Sequence, residues 1–240
     1  MKTILITRPK EEAESLGHAL AIKGFGVHIE PLLHIEPLLK NTPALEEALR
    51  RKPQAILVTS RQSLKLLATI IKDRDIPFFT VGEATADYAQ TLGFHVIAYA
   101  GTAETLVELV TGKCDSHHSL LYVRAQNINT DIAGLLNEKG FFVDSIILYR
   151  AIAAQKFSEE LRTIIVRGDL PGALFFSRRT ANTYTKLVQT HGLSDVHRAM
   201  AAICMSKAIA EPLRLLPWQS VHIAQTPDMK HMLEAVEAAF

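Results

Sequence analysis

The sequence predicts an α/β protein written twice on one plan: two similar lobes, each a parallel five-stranded sheet flanked by helices. Three observations predict it. Short β-branched or aromatic runs alternate with longer amphipathic runs along the whole chain. The word Lys-Gly-Phe-x-Val occurs at Lys23–Val27 and again at Lys139–Val143, each time after a leucine-rich helical pattern. The offset that carries Gly24 onto Gly140 also carries Arg8 onto Arg124 and Leu20 onto Leu136. At 240 residues the chain has room for two domains of about 120 residues each.

The elements follow in order. "TILIT" opens the chain as a strand, and "EEAESLGHALAIKG" follows as a helix with Pro9 at its first position. Acidic residues Glu11, Glu12 and Glu14 fill its first turn, where they complement the helix dipole. Gly24 ends the helix, and Phe-x-Val begins the next strand, "GVHIE". The Lys-Gly-Phe-x-Val word is therefore a helix-to-strand turn. "AILVT", "FFTVG" and "HVIAY" complete five strands of the first repeat. "LLYVR", "VDSIILY", "ALFFS", "AAIC" and "VHIA" are the five of the second. Strands separated by helices imply parallel pairing with both faces covered.

Further motifs recur in the same sequence. "ILVTSRQS" resembles "ALFFSRRT", which sets Ser60 against Ser177, and "FTVGEATADYA" resembles "AAICMSKAIAE". "AGTAETLVELV" resembles "AQTPDMKHMLEAV". Two ways of folding this duplication fit. A tandem parse cuts the chain near "GKCDSHHS", and composition favours it. A crossed parse joins the first two strands of repeat one to the last three of repeat two, with crossings at Glu30–Pro37 and Leu148–Gln155. Two Glu-Pro pairs make the first crossing extended.

Hydrophobic residues are 48% and charged residues 21%, with a formal net charge of +1. That balance argues against a nucleic-acid-coating or membrane-surface protein. The opening apolar run is too short for a signal peptide, and no stretch is long enough to span a bilayer. Cys114 and Cys204 form neither a disulfide framework nor a metal motif, so a reduced cytoplasmic setting is expected. His117-His118 lies in a polar loop and reads as surface.

Ligands in open parallel sheets bind beyond the carboxyl ends of the strands. The loops there share small hydroxyl residues, glycine or arginine at a helix start: "TRPKEE", "TSRQS", "VGEAT", "AGTAE", "VRAQN", "SRRT", "CMSK" and "AQTPD". Such loops offer unpaired N–H groups and a favourable dipole end to an anion. Arg8, Ser60, Gly82, Thr102, Arg124 and Ser177 are the candidate substrate-binding residues they supply. Ordinary N-capping accounts for Ser60, Thr102 and Thr226 equally well, with Pro227 at the first helical position. No nucleotide-binding, nucleophile-elbow or zinc-protease motif is present, and no Ser-His-Asp set assembles. An enzyme built this way acts by binding and positioning.

Taken in order, these motifs resemble the uroporphyrinogen-III synthase family. "LITRP" is similar to its opening strand and loop, and "ILVTSRQSLKLL" to its strand–Thr-Ser–helix element. "FFTVGEATADYAQTLGF" is similar to its Val-Gly-x-x-Thr-Ala element. The stretch from Leu120 to Ile152 resembles the part that ends in a tyrosine, and "AQTPDMKHMLEAV" the C-terminal helix. The resemblance implies the crossed parse: one lobe from residues 1–30 and 154–240, another from 38–148, and a two-stranded linker from 31–37 and 149–153. It implies dehydrating cyclisation of hydroxymethylbilane, a linear tetrapyrrole with eight carboxylates, with inversion of the terminal ring and without metal or cofactor. A monomer is implied, with transient contact with the preceding pathway enzyme. Tyr149 matches the family's cleft tyrosine, placed to assist departure of the hydroxyl. Ser60 and Thr85 match cleft hydroxyls, and Thr226 the C-terminal anion loop. At "AAICMSKAIA" the family resembles Ile-Gly-x-x-Thr-Ala, so Cys204 is expected in the place of a glycine and Lys207 in the place of a threonine, where it could supply a charge contact. A second reading keeps the fold and loses the reaction, leaving a non-catalytic two-lobed anion-binding protein, and the changed loop is its support.

Overall fold

The computed structural model describes residues 2–38 and 41–240, without the side chains of Lys10, Glu11 and Glu12, so the expected acidic turn at Glu11 and Glu12 lies outside it. Contacts divide the chain into two units, Met1–His34 with Ile152–Phe240, and Ile35–Ala151.

The first unit holds β1 (Thr3–Ile6), α1 (Lys10–Ile22) and β2 (Gly26–Ile29). The second holds most of β3 (Leu33–Pro37), then α2 (Thr42–Arg50), β4 (Ala55–Val58), α3 (Arg61–Ile70), β5 (Pro77–Val81) and α4 (Glu83–Thr91). It continues with β6 (His95–Ala100), α5 (Ala103–Lys113), β7 (Leu120–Ala125), α6 (Ile132–Glu138) and most of β8 (Val143–Ala153). The chain then completes the first unit with α7 (Glu159–Arg167), β9 (Gly172–Phe175), α8 (Arg178–Thr190), β10 (Ala201–Cys204), α9 (Lys207–Ala210), β11 (Ser220–Ile223) and α10 (Met229–Ala239).

The first unit's sheet has the order β11-β10-β9-β1-β2, and every pair in it is parallel. Ile4 and Ile6 of β1 and Leu174 of β9 face α1 and α10, whereas Leu5, Ala173 and Phe175 face α7 and α8. That two-sided burial is why β1 and β9 read as unbroken apolar runs. The second unit's sheet has the order β3-β8-β7-β4-β5-β6. Ile56 and Val58 of β4 pack with Leu64 and Leu67 of α3, and Leu57 packs with Leu106 and Val110 of α5.

This second sheet corrects the expectation of five parallel strands. It has six, because β3 adds to the far half of β8. Leu38 N–H donates to Leu148 C=O at 2.7 Å and Ala154 N–H to Leu32 C=O at 3.0 Å, the crossed register of an antiparallel pair, so the sheet is mixed. Chain kept extended by its Glu-Pro pairs thus finds a partner and becomes a strand.

The repeated Lys-Gly-Phe word forms the same turn twice. Gly24 (φ +83°) and Gly140 (φ +87°) are left-handed, and Phe25 N–H and Phe141 N–H reach back to Leu20 C=O and Leu136 C=O. Gly24 N–H and Gly140 N–H bond Ala21 and Asn137, which completes the double-bonded helix stop that glycine favours. Pro9 is the cap of α1 and stands one place before the helix, not inside it.

Candidate functional site

In the second unit the strand ends gather around one cavity of about 400 Å³. Thr59 and Ser60 from the β4 end, Tyr122 from β7 and Tyr149 from β8 line it. Glu104 of α5 and the polar loop from Asn127 to Thr130 line it as well.

Two sequence-predicted residues meet here. The Tyr149 hydroxyl donates to Ser60 Oγ at 2.9 Å. The pairing shifts at this point: Arg124 pairs with Ile147 but Ala125 with Tyr149, so Leu148 is an extra residue in β8. Leu148 packs in the core with Ile146, Leu64 and Val123, and Tyr149, the next residue along the strand, faces the other side, on the cavity. Gln126 N–H donates to Tyr149 C=O at 2.8 Å and fixes the backbone there.

Ser60 caps α3. Its Oγ accepts Ser63 N–H at 3.1 Å, donates to Ser63 Oγ at 3.1 Å and accepts the phenol. Both lone pairs and the proton of this hydroxyl are therefore engaged. Tyr122 is 1% exposed, and burial pushes its phenol pKa up, against a hydrogen bond from Thr59 that lowers it.

The remaining predicted residues of this unit stand close by in sequence but do not line the cavity. Gly82 caps α4 with φ +83° and ψ 134°, and its C=O accepts Thr85 N–H at 3.0 Å. Thr102 caps α5 in a capping box with Thr105. Arg124 donates to Ser145 Oγ at 2.9 Å and to Ala125 C=O at 3.0 Å, which ties it to its own strand end.

In the first unit, the Arg8 guanidinium lies over the Phe176 ring, 4.6 Å from its centroid. Ser177 caps α8 as Ser60 caps α3: Thr180 N–H donates to its Oγ at 3.1 Å, and the two hydroxyls are 2.7 Å apart. Neither α3 nor α8 has an acidic residue in its first turn. The cap of α10 is Asp228, not Thr226, and Pro227 precedes the helix. Thr226 donates to the Asp228 carboxylate, which also accepts His231 N–H at 2.9 Å. Those bonds, the one from the His231 backbone foremost, hold the Asp228 carboxyl well below the usual carboxylate range. This helix start carries its own anion.

Strand register also shifts the Cys-Met-Ser-Lys loop by two places. Val58 and Phe175 each stand two residues before a serine cap, and their partners on the next strands are Thr80 and Cys204. Cys204 is therefore the counterpart of buried Thr80, not of Gly82. It is fully buried in the core, which pushes its thiol pKa up to about 12. Ser206 takes the place of Gly82, and Lys207 is the exposed first residue of α9. The glycine that caps α4 is therefore replaced at Ser206, not at Cys204.

Sequence reasoning missed Tyr122, Glu104 and Thr130. Tyr122 sits in a run that reads as core, and Glu104 in a position that reads as an acidic first turn. The polar run "QNINTD" after β7 was the available signal for Thr130.

A family model described as uroporphyrinogen-III synthase HemD matches residues 14–234. No curated protein matches the chain. Among solved structures, uroporphyrinogen-III synthetase from Helicobacter pylori superposes with a TM-score of 0.64 at 18% identity, over 100% of both chains. A mutant uroporphyrinogen III synthase from the extremely thermophilic bacterium Thermus thermophilus superposes with a TM-score of 0.56 at 15% identity, over 100% of this chain and 98% of that one. At such identities the likeness speaks for the α/β fold of parallel strands flanked by helices. The family match spans most of the sequence, and by it the chain belongs to the uroporphyrinogen-III synthase family.

Proposed function

We propose that the cavity of the second unit receives the reacting end of hydroxymethylbilane and that Tyr149 assists departure of its hydroxyl. The reaction is the family's: dehydrating cyclisation of the linear tetrapyrrole, with inversion of the terminal ring, to uroporphyrinogen III. It makes the protein a cyclising lyase of tetrapyrrole biosynthesis. The comparisons give no support to a non-catalytic binding protein.

The observation that carries the site assignment is the phenol of Tyr149, directed at Ser60 in the wall of the cavity. A phenol can donate to a leaving hydroxyl, and Ser60 holds that donor in place until substrate arrives. Cavities for small molecules run from roughly 300 to 1,000 Å³, so one of about 400 Å³ takes part of a four-ring chain and not all of it. The carboxylates need other partners. The start of α3, with no acid in its first turn and beside the same cavity, suits them best. Arg8, Arg124, Gly82, Thr85 and Thr102 serve as backbone, packing or capping supports of the strand-end loops, and Lys207 as an outer charge contact. In this reading the two units are the lobes, 1–30 with 154–240 and 38–148, and the paired segments 31–37 and 149–153 are their linker.

Incubation with hydroxymethylbilane and separation of the uroporphyrinogen isomers tests the function. The inverted isomer in excess is expected. Formation of the non-inverted ring alone, at the rate of the buffer, would refute it.

A further inference from the structure

The substrate carries eight carboxylates, yet among the described residues lining the cavity Glu104 is the only charged one. A carboxylate in that wall cannot receive another carboxylate. It suits an N–H donor, and better still a positive charge.

Glu104 is held in place. Its Oε1 accepts the Thr130 hydroxyl at 2.9 Å, which joins α5 to the loop after β7. The other end of that loop is tied to the Tyr149 backbone through Gln126. Hydrogen bonds from its own backbone N–H, from Thr130 and from Thr102 hold its carboxyl below the usual range, so it is ionised at neutral pH. The position at the start of α5 accounts for an acid there; the residue is exposed, and its bond to Thr130 ties it to the loop that borders the cavity. The phenol of Tyr149 opens on the same space.

We propose that Glu104 is a catalytic residue: its carboxylate accepts the N–H of the pyrrole ring that loses its hydroxyl, and stabilises the cation formed there. This rests on the assignment of the cavity to the reacting end of the substrate. As Tyr149 gives its proton to the hydroxyl oxygen, the C–O bond breaks with both electrons on oxygen, and water leaves. The ring and its methylene carbon keep one positive charge, shared onto the ring nitrogen, and the phenolate keeps the balancing negative charge. Glu104 exchanges no proton. The charge it attracts most strongly is absent from the bound substrate, so it acts chiefly on the barrier. The substrate's own carboxylates are repelled by it, which also turns the ring, and not its acid arms, into the cavity.

Glu104→Gln isolates the charge, because the amide oxygen can still accept the Thr130 hydroxyl. We expect kcat to fall by roughly 10-fold or more, with KM unchanged or lower. Thr130→Val removes the hydroxyl and keeps the charge, and should cost kcat far less. An unchanged kcat in Glu104→Gln overturns the proposal. So does a raised KM at intact kcat, and so does an equal loss in Thr130→Val, which would make Glu104 a tether for the loop. Conversion of hydroxymethylbilane by the unsubstituted protein in the same assay reports separately on the function itself. Tyr149→Phe reports separately on the site, so failure of either is distinguishable from failure at Glu104.

Discussion

Replacing Tyr149 by phenylalanine removes one oxygen and keeps the ring. The ring is 7% exposed and its packing is retained. What disappears is the 2.9 Å bond to Ser60. Ser60 keeps its bonds to Ser63 N–H and Ser63 Oγ, and its freed lone pair faces a cavity that water can enter. A net hydrogen bond of this kind contributes about 0.5–1.5 kcal/mol, and the open cavity puts this one at the lower end. Domains of ordinary stability, about 5–15 kcal/mol, stay folded after such a loss. The effect on rate should be larger. A lost acid contact costs roughly 10²-fold, equivalent to about 2.7 kcal/mol of barrier. Because the contact to the leaving hydroxyl strengthens as the bond breaks, the loss belongs in kcat with KM nearly constant. Unassisted closure gives the non-inverted ring, so the product of the variant should shift toward that isomer. Urea unfolding, initial rates and isomer separation together decide the matter. A Tyr149→Phe protein that makes the inverted isomer at the original rate would make the tyrosine a packing residue and refute the assignment. Ser60→Ala should act on the same step, and a double-mutant cycle with Tyr149→Phe should be non-additive, since the two hydroxyls share one bond.

Three further outcomes follow from the structure. His197 is fully buried, with Tyr184 Oη 2.9 Å from its Nε2 and Leu193 C=O 2.8 Å from its Nδ1, and burial lowers its pKa. The unfolded chain therefore takes the proton first, and stability, full above the ordinary imidazole value near 6.5, should fall as pH drops below it, by at most about 1.4 kcal/mol per pH unit for this one group. Urea midpoints across that window check it, and a flat profile would refute it. Gly82→Ala should lower stability by about 1–3 kcal/mol through backbone strain alone, because the nearest atom to an added Cβ is Thr85 Oγ1 at 3.8 Å. A thermal unfolding shift measures it. Lys207→Thr should raise KM at low salt and leave it unchanged at high salt, as expected of an exposed charge contact; equal KM values at low salt would return Lys207 to the solvated surface.

What the sequence made legible was local or repeated, and what it hid was pairing. β4 and β9 could be read from four apolar residues each, because burial on both faces leaves no polar position in the run. The Lys-Gly-Phe turns could be read because glycine's left-handed conformation leaves a mark at one position. β3 could be read only as half of the two-stranded linker that the family resemblance implies, because its pairing with the far half of β8 and the ion pair between Glu36 and Arg150 join residues distant in the chain. The same limit displaced the site. Threonine and aspartate cap helices for the same reason, so "TPD" could not say that Asp228 and not Thr226 does so. Cys204 was set against Gly82 by motif order, whereas strand register sets it against Thr80. At Tyr149 the facing follows from alternation: Ile146 and Leu148 pack with α3, so Tyr149 takes the opposite face. A side chain's face alternates along a strand, so "DSIILY" carries this placement in its own pattern. What no pattern within "DSIILY" announces is the register shift against β7 that brings Tyr149 level with Ala125. The tyrosine's identity and face were therefore readable from the chain, but the wall it shares with Ser60 and Glu104 is a property of the fold.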